Sequence, residues 1–175
     1  RWGAWRAVRG GAVTARHFTG RRGRLGPWAD SVGTVAVLVA EGKVRPLGLG
    51  EVTGDELRQA HAIHPIAAVQ SEWSLFTRDI ERTLVPAAAE LGVGIVPYSP
   101  LGRGLLTGAL PTQFHAGDVR TAFPRFTGVN ARRNAALLAP IANIAAARAL
   151  SIAQLDLACL HPHTNLHALA VFPIP

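Results

Sequence analysis

The chain has 175 residues, a size typical of one domain, and 49% of them are hydrophobic, which is enough for a buried core and excludes general disorder. It carries a formal net charge of +7, and its single cysteine, Cys159, excludes an intrachain disulfide and a cysteine-based metal site. A lone thiol fits a reducing compartment, so we expect a cytoplasmic protein. The longest apolar stretch, residues 135–147, is interrupted by Pro140 and Asn143, and we therefore expect no membrane partner.

The positive charge is concentrated in residues 1–30. Seven arginines there face one acid, Asp30, whereas the rest of the chain is close to neutral. No helix or strand period persists through this stretch, which we interpret as an irregular basic arm. Three tryptophans among the arginines, Trp2, Trp5 and Trp28, leave nucleic-acid binding open as an alternative. We favour a solvated extension, because the arm contains no nucleic-acid-binding motif.

An alternation of helices and strands begins at Ser31. A helix capped by Asp30 or Ser31 precedes a short strand, VRPLGL. Thr53 and Glu56 have the spacing of a capping box, which satisfies free amides at the start of a second helix. The segment AAVQSEW then has the composition of a second strand.

The alternation continues to the end of the chain. A third helix over about residues 80–91 leads to the strand GVGIVPYS, whose nearly continuous apolar run is typical of a strand buried on both faces. A polar loop over about 103–129 and a long helix over 134–150 follow. Ser151 and Gln154 form a second capping box before a short helix, and a last strand ends the sequence. This order predicts parallel strands joined by helices, and four such strands are half of a (β/α)₈ barrel.

Three segments resemble a known family: VGTVAVLVAEGKVRPLGLGE, HPIAAVQSEWSLFTRDIE and LGVGIVPYSPLGRGLLTG. They resemble the stretch from the fourth helix to the seventh strand of aldo-keto reductases, notably the bacterial branch related to potassium-channel β subunits. The resemblance implies an α/β fold in residues 31–175, a partial (β/α)₈ TIM barrel with about strands five to eight. Members of the family are NADP-dependent oxidoreductases that reduce aldehydes and ketones by hydride transfer from NADPH, so a small carbonyl compound is the implied substrate.

The residues that match the family's cofactor site are Gln70, Tyr98, Ser99, Pro100, Leu101, Arg103 and Glu51. Gln70 matches a glutamine that binds the nicotinamide carboxamide, and Tyr98 matches a tyrosine that stacks on the nicotinamide ring. Four residues of the next segment, Ser99, Pro100, Leu101 and Arg103, match a loop around the pyrophosphate, and Glu51 lies beside a carboxamide contact. All of them follow predicted strands at their carboxyl ends, where (β/α)₈ enzymes place their chemistry.

Each match has a structural interpretation when it is taken singly. Tyr98 could be a packed core residue, PLGRG a turn, and Gln70 an outward-facing strand residue. Their common register with the family favours the functional interpretation. Gly102 and Gly104 in the same loop are expected to let backbone amides approach phosphate oxygens.

The sequence also departs from the family. No residue matches its catalytic tyrosine, lysine, aspartate and histidine, so we expect a truncated chain without a catalytic residue. Lys43, the only lysine, lies in a helix-exit turn and is expected to be solvated. Gly50 stands where the family has a serine, and Pro46 is expected to interrupt a strand. The sequence stops before the segment that binds the 2′-phosphate of NADPH.

Two alternatives to a reductase remain open: a non-catalytic relative that binds cofactor or a partner, and a non-functional gene remnant. Half a barrel leaves an exposed sheet edge, from which we expect a homo-oligomer. His161, His163 and His167 have spacing that could bind a transition metal. Because no cysteine or carboxylate lies near them, we expect no metal site.

Overall fold

The computed structural model describes residues 4–9, 12–19, 28–109, 114–160 and 169–174. The strands in these ranges are β1 (Ala4–Arg9), β2 (Ala12–Thr19), β3 (Leu47–Gly50), β4 (Ile66–Glu72) and β5 (Gly94–Tyr98). The α-helices are α1 (Trp28–Ala40), α2 (Gly54–Ile63), α3 (Leu84–Leu91), α4 (Gly128–Ala146) and α5 (Ile152–Leu160). Four 3₁₀ turns lie at Asp79–Arg82, Gly102–Thr107, Val119–Ala122 and Pro124–Phe126. None of the described helices combines the length and the apolar composition needed to cross a bilayer.

The strands form one sheet in the order β1-β2-β3-β4-β5. Strands β2 to β5 run parallel, and β1 lies antiparallel beside β2. Beyond β5, residues 169–174 pair with it through the parallel bridges Ile95–Val171 and Tyr98–Ile174. The N–H of Ile95 donates to the carbonyl of Ala170 at 2.8 Å. The predicted last strand is therefore present as an extended segment on the outer edge of β5.

The prediction of an irregular arm over residues 1–30 is wrong for Ala4–Arg9 and Ala12–Thr19, which form β1 and β2. The register pairs Arg9 with Ala12, and in the sequence the two strands are separated only by two glycines, a dipeptide typical of hairpin turns. The two strands are held by backbone pairing with each other, which does not require the alternating hydrophobic pattern that this stretch lacks. Whether the arm is foreign to the family stays a prediction.

The predicted cap of the first helix at Asp30 or Ser31 is wrong, because α1 begins at Trp28 and contains both residues. The two predicted capping boxes are confirmed. The N–H of Glu56 donates to the Thr53 hydroxyl at 3.2 Å, and the Glu56 carboxylate accepts the Thr53 N–H at 2.8 Å. Ser151 and Gln154 form the same reciprocal pair, at 2.8 and 3.2 Å. The expected interruption by Pro46 is wrong, because β3 begins directly after it and Pro46 takes no place in the ladder.

The helices cover one face of the sheet. Leu49, Val69 and Ile95 are register partners on neighbouring strands, and all three are buried in the main hydrophobic core. The helices contribute to that core the residues Val32, Val35, Leu57, Ala60, Leu84, Val85, Ala87, Ala88 and Leu160. Burial of such apolar surface, at about 25 cal/mol per Å², is the main force that holds the helices on the sheet.

The other face of the sheet is polar at one end. Gly50, Gln70 and Val96 are in register, and Glu72 and Tyr98 form the next register pair on the same face. Because side chains alternate along a strand, these residues point away from the helix-covered core. Gln70, Glu72 and Tyr98 therefore share one face at the carboxyl ends of β4 and β5.

The opposite end of the sheet carries the turn between α1 and β3. Lys43 in this turn has a side chain that is 67% exposed, and its Nζ lies 2.8 Å from a carboxylate oxygen of Glu41. Its predicted solvation is confirmed. The only lysine of the chain is thus remote from the polar end of the sheet.

Candidate functional site

Strained backbone clusters at the carboxyl ends of the strands. Four non-glycine residues in the described ranges have positive φ: Glu51 (55°), Ser99 (48°), Arg103 (58°) and Ala149 (53°). The first three follow β3 or β5. A left-handed conformation costs a non-glycine residue roughly 1–2 kcal/mol, and such strain is typical of functional sites. The sequence prediction had placed the same three residues in the site.

Glu51 closes over the end of β4. Its N–H donates to the carbonyl of Gln70 at 2.9 Å. One oxygen of its carboxylate accepts the Ser71 hydroxyl and the Glu72 N–H, each at 3.3 Å. The same carboxylate lies near enough to the phenol of Tyr98 to raise its pKa. The carboxylate of Glu51 is thus engaged by the protein itself, and its place beside a cofactor stays a prediction.

Tyr98 is held in its neutral form. Burial raises the pKa of its phenol to about 12, and the negative charge and hydrogen bond of Glu51 act in the same direction. The guanidinium of Arg103 opposes this rise and lies 5.8 Å from the centroid of the Tyr98 ring. At neutral pH the ring is therefore an uncharged aromatic surface near a cation.

The side chain of Gln70 is half-buried on the same face as Tyr98. Its amide has no hydrogen-bond partner among the residues that the structure describes. An amide offers two donors and an acceptor, so it can pair with another amide in both directions. The amide of Gln70 is thus a polar group at this end of the sheet that is open to a ligand.

Arg103 is fixed on two sides. Its Nη2 donates to Glu72 at 2.8 Å, and its guanidinium lies 4.5 Å from the centroid of the Phe123 ring. Its Nε is buried and has no hydrogen-bond partner in the described part of the chain. A buried donor without a partner costs about 1–3 kcal/mol, so an acceptor that reached it would be bound favourably.

The carboxylate of Glu72 joins three segments at this end of the sheet. It accepts Nη2 of Arg103 at 2.8 Å, Nη1 of Arg125 at 2.9 Å and the hydroxyl of Thr77 at 3.1 Å. Its side chain is 13% exposed. The sequence analysis missed both Glu72 and Arg125. Glu72 follows Gln70 by two residues and so shares its face, a signal that was available, whereas nothing marks Arg125 within a polar loop.

The loop after β5 is shaped by its own amides. The N–H of Gly102 donates to the carbonyl of Ser99 at 2.9 Å, and that of Gly104 to the carbonyl of Leu101 at 3.1 Å. These two amides are therefore used within the loop, and the expectation that the two glycines let backbone amides approach phosphate stays a prediction. Pro100 is buried beneath it and anchors its start.

A second buried carboxylate lies outside this cluster. Asp156 in α5 is fully buried; one oxygen accepts the N–H of Leu75 at 2.9 Å, and the other has no partner among the described residues. Burial raises its pKa to about 6. The described ranges contain no group of side chains placed to hold a metal ion. His161, His163 and His167 lie outside those ranges.

Comparison with known proteins identifies the family. Residues 26–172 match the sequence model described as the aldo/keto reductase family. The chain belongs to the aldo/keto reductase family. It is 47% identical over 133 residues to a probable aldo-keto reductase 1 from Glycine max, an alignment that covers 75% of this chain and 38% of that relative. The sequence-based resemblance to this family is confirmed.

Solved aldo/keto reductases share the fold. A glycerol dehydrogenase from Gluconobacter oxydans superposes with a TM-score of 0.77 and 23% identity, over 91% of this chain and 49% of that one. An aldo/keto reductase from Klebsiella pneumoniae, solved with NADP and acetate, gives a TM-score of 0.61 and 25% identity, over 91% and 47%. The chain therefore spans about half the length of these structures, and its α/β fold corresponds to part of their TIM barrel.

Proposed function

We propose that this chain binds NADPH at the carboxyl ends of β3, β4 and β5, and that it forms the cofactor-binding half of a reductase of aldehydes and ketones. The observation that carries the proposal is the partnerless amide of Gln70 on the same face as the Tyr98 ring. The aldo/keto reductase from Klebsiella pneumoniae, which was solved with NADP, supports the choice of cofactor. When bound, NADPH supplies the hydride that reduces a carbonyl carbon.

Each polar group has a proposed part in holding the cofactor. Gln70 would pair with the nicotinamide carboxamide, because a side-chain amide matches it in donors and acceptors. The neutral ring of Tyr98 would pack against the nicotinamide. The free Nε of Arg103 would donate to a phosphate oxygen, while Ser99 and Leu101 shape the loop around it.

The charges at the site are balanced. Two carboxylates, Glu51 and Glu72, face two guanidiniums, Arg103 and Arg125. A balanced cluster produces little long-range field to attract a polyanion. We therefore propose that short-range contacts, and not electrostatic steering, determine the affinity for NADPH. The contact with the 2′-phosphate has no assigned residue in this chain.

Turnover needs a proton donor, and the resemblance assigns none among these residues. The phenol of Tyr98 is held neutral by burial and by the charge of Glu51, and its ring already has the stacking role. We propose that these 175 residues bind cofactor without reducing a carbonyl on their own, and that reduction requires the rest of a barrel. We also propose the cytoplasm as the location, on the single cysteine.

Fluorescence titration of the purified chain with NADPH tests the proposal. We expect saturable binding, and about tenfold weaker binding by Gln70→Leu, because the carboxamide then loses its hydrogen bonds. Gln59→Leu is the matched control, since Gln59 is exposed on α2 far from the site. A chain that melts cooperatively yet shows no saturable binding would refute the proposal, and so would equal affinities of the native chain and Gln70→Leu.

A further inference from the structure

Glu72 occupies a central position among the charged groups of the site. It is the last residue of β4, and its register partner is Tyr98, the last residue of β5. Its two carboxylate oxygens are shared between Arg103, from the loop after β5, and Arg125, from the 3₁₀ turn Pro124–Phe126. The side chains of these arginines are only 25% and 27% exposed. A single carboxylate therefore connects three segments that are distant in sequence.

The two guanidiniums depend on this carboxylate. Arg103 and Arg125 lie 2.8 and 2.9 Å from its oxygens, so they are close to each other and would repel without it. Arg103 also has the left-handed backbone that the loop after β5 requires. The contacts of its guanidinium with the rings of Phe123 and Tyr98 are weaker than a charge-assisted hydrogen bond. Loss of the Glu72 charge would therefore free the Arg103 side chain and relax the loop.

We infer that Glu72 is a positioning residue, which acts through Arg103 and Arg125 to fix the loop after β5 in the conformation that receives the phosphates of the cofactor. The inference rests on the proposed function for the identity of the ligand. Thr77 supports the same carboxylate with its hydroxyl at 3.1 Å, so the orientation of Glu72 is set by three donors from three segments. Asn134 of α4 donates to the carbonyl of Arg125 at 2.8 Å, so the 3₁₀ turn that contains Arg125 is held against a helix.

The direction in which Glu72→Gln changes the affinity for NADPH distinguishes a positioning role from a simple charge effect. Glu72 carries a negative charge beside a loop that is proposed to receive an anion. If its only effect on binding were that charge, Glu72→Gln would strengthen the binding of NADPH, because a repulsion is removed. As a positioning residue it has the opposite effect, and Glu72→Gln weakens binding by about tenfold through loss of loop order.

A double-mutant cycle identifies the residue through which Glu72 acts. We expect Glu72→Gln to weaken NADPH binding in the native background and to weaken it less when Arg103→Gln is already present, since both changes remove the Glu72–Arg103 ion pair while Arg125 remains. Glu90→Gln is the matched control: its carboxylate is bound by Arg58 at 2.8 Å on the helix-covered side, and it should leave the affinity unchanged. Tighter binding by Glu72→Gln, or additive effects of the two site variants, would overturn the inference.

Hydrogen exchange of the free chain provides a readout without cofactor. We expect Glu72→Gln to speed amide exchange in residues 99–107 and 119–126, and Glu90→Gln to leave both segments as in the native chain. If the native chain binds no NADPH but Glu72→Gln shows this faster exchange, the proposed function fails and the positioning role stands. Unchanged exchange in both segments overturns the positioning role, whatever the cofactor does. Should Glu72→Gln unfold the chain, Arg103→Gln is expected to speed exchange in the same loop.

Discussion

The carboxylate of Glu51 acts on the phenol of Tyr98 across the carboxyl ends of β3 and β5, with the end of β4 between them. Burial and, after it, the negative charge of Glu51 raise the pKa of the phenol. Because Glu51 follows β3 in a left-handed conformation, its side chain reaches over Ser71 and Glu72 towards Tyr98. Burial and the charge of Glu51 therefore keep uncharged an aromatic ring that the site is proposed to use for stacking.

Ultraviolet titration of the native chain is expected to show a tyrosine pKa of about 12, above the ordinary value of 10.0. The assignment is direct, because Tyr98 is the only tyrosine. Glu51→Gln should lower this pKa towards the ordinary value, since it removes a nearby negative charge, while the rise that burial causes remains. Glu90→Gln, on α3, is the control. The native form resists ionisation, so this group makes the fold less stable as pH rises from about 10 to 12. A native pKa near 10 would contradict the described burial of the phenol beside the charge of Glu51.

Asp156 is expected to make stability fall as pH rises. Burial raises its pKa from 3.8 to about 6, so the native state binds its proton more tightly than the unfolded chain. Its contribution to stability is complete below about pH 4 and is lost by about pH 6. Asp156→Asn should therefore stabilise the chain at neutral pH by about 1–3 kcal/mol relative to the native sequence, at about 1.4 kcal/mol per pKa unit.

Urea unfolding of both chains at acidic and neutral pH measures this difference. Asp79→Asn is the control, because Asp79 is exposed and its removal should leave the pH profile unchanged. The groups that also act near Asp156 are Cys159 on the same helix and, through that thiol, Arg78 and Arg148. A difference between Asp156→Asn and the native chain that does not grow with pH would show that Asp156 is not the group that titrates.

Gly54 is expected to tolerate no side chain. A Cβ at this position would lie 2.4 Å from the carbonyl oxygen of Thr83 and 3.3 Å from the Cβ of Ala87, where α2 packs on α3. Gly54→Ala should lower the free energy of unfolding by about 1–3 kcal/mol, because backbone must move to make room. Gly33→Ala is the matched control in α1, where nothing lies within 4 Å of the added Cβ. It should raise stability by about 0.5–1 kcal/mol, and equal effects of the two changes would contradict the described packing.

The parts of the fold that the sequence predicted are those fixed by neighbouring residues. The capping boxes at Thr53 and Ser151 depend on residues three positions along, so their spacing was sufficient. Pro86 lies in the first turn of α3, where no N–H is needed, as expected. The prediction of an irregular arm failed because β1 and β2 are stabilised by pairing with each other and with β3, which a local sequence pattern does not show.

The site was predicted in position and only partly in its contacts. Gln70, Tyr98 and Arg103 were assigned by their match to a family, and parallel strands bring them to one end of the sheet. The roles of Glu72 and Arg125 could not be predicted, because their ion pair joins residues 53 positions apart and depends on the path of an irregular loop. Asp156 was missed because the sequence of a mostly apolar helix does not show which of its positions is fully buried.

The exposed Lys43 gives the molecule a built-in attachment point. Apart from the amino terminus, it is the only primary amine, and its side chain is 67% exposed at the end of the sheet opposite Tyr98. An amine-reactive dye would therefore label one defined internal position without touching the proposed site. The strands between the two ends are about 20 Å long, a length over which energy transfer between a dye and bound NADPH is efficient. Emission from the labelled chain would then report occupancy directly, in competition with unlabelled ligands that do not fluoresce.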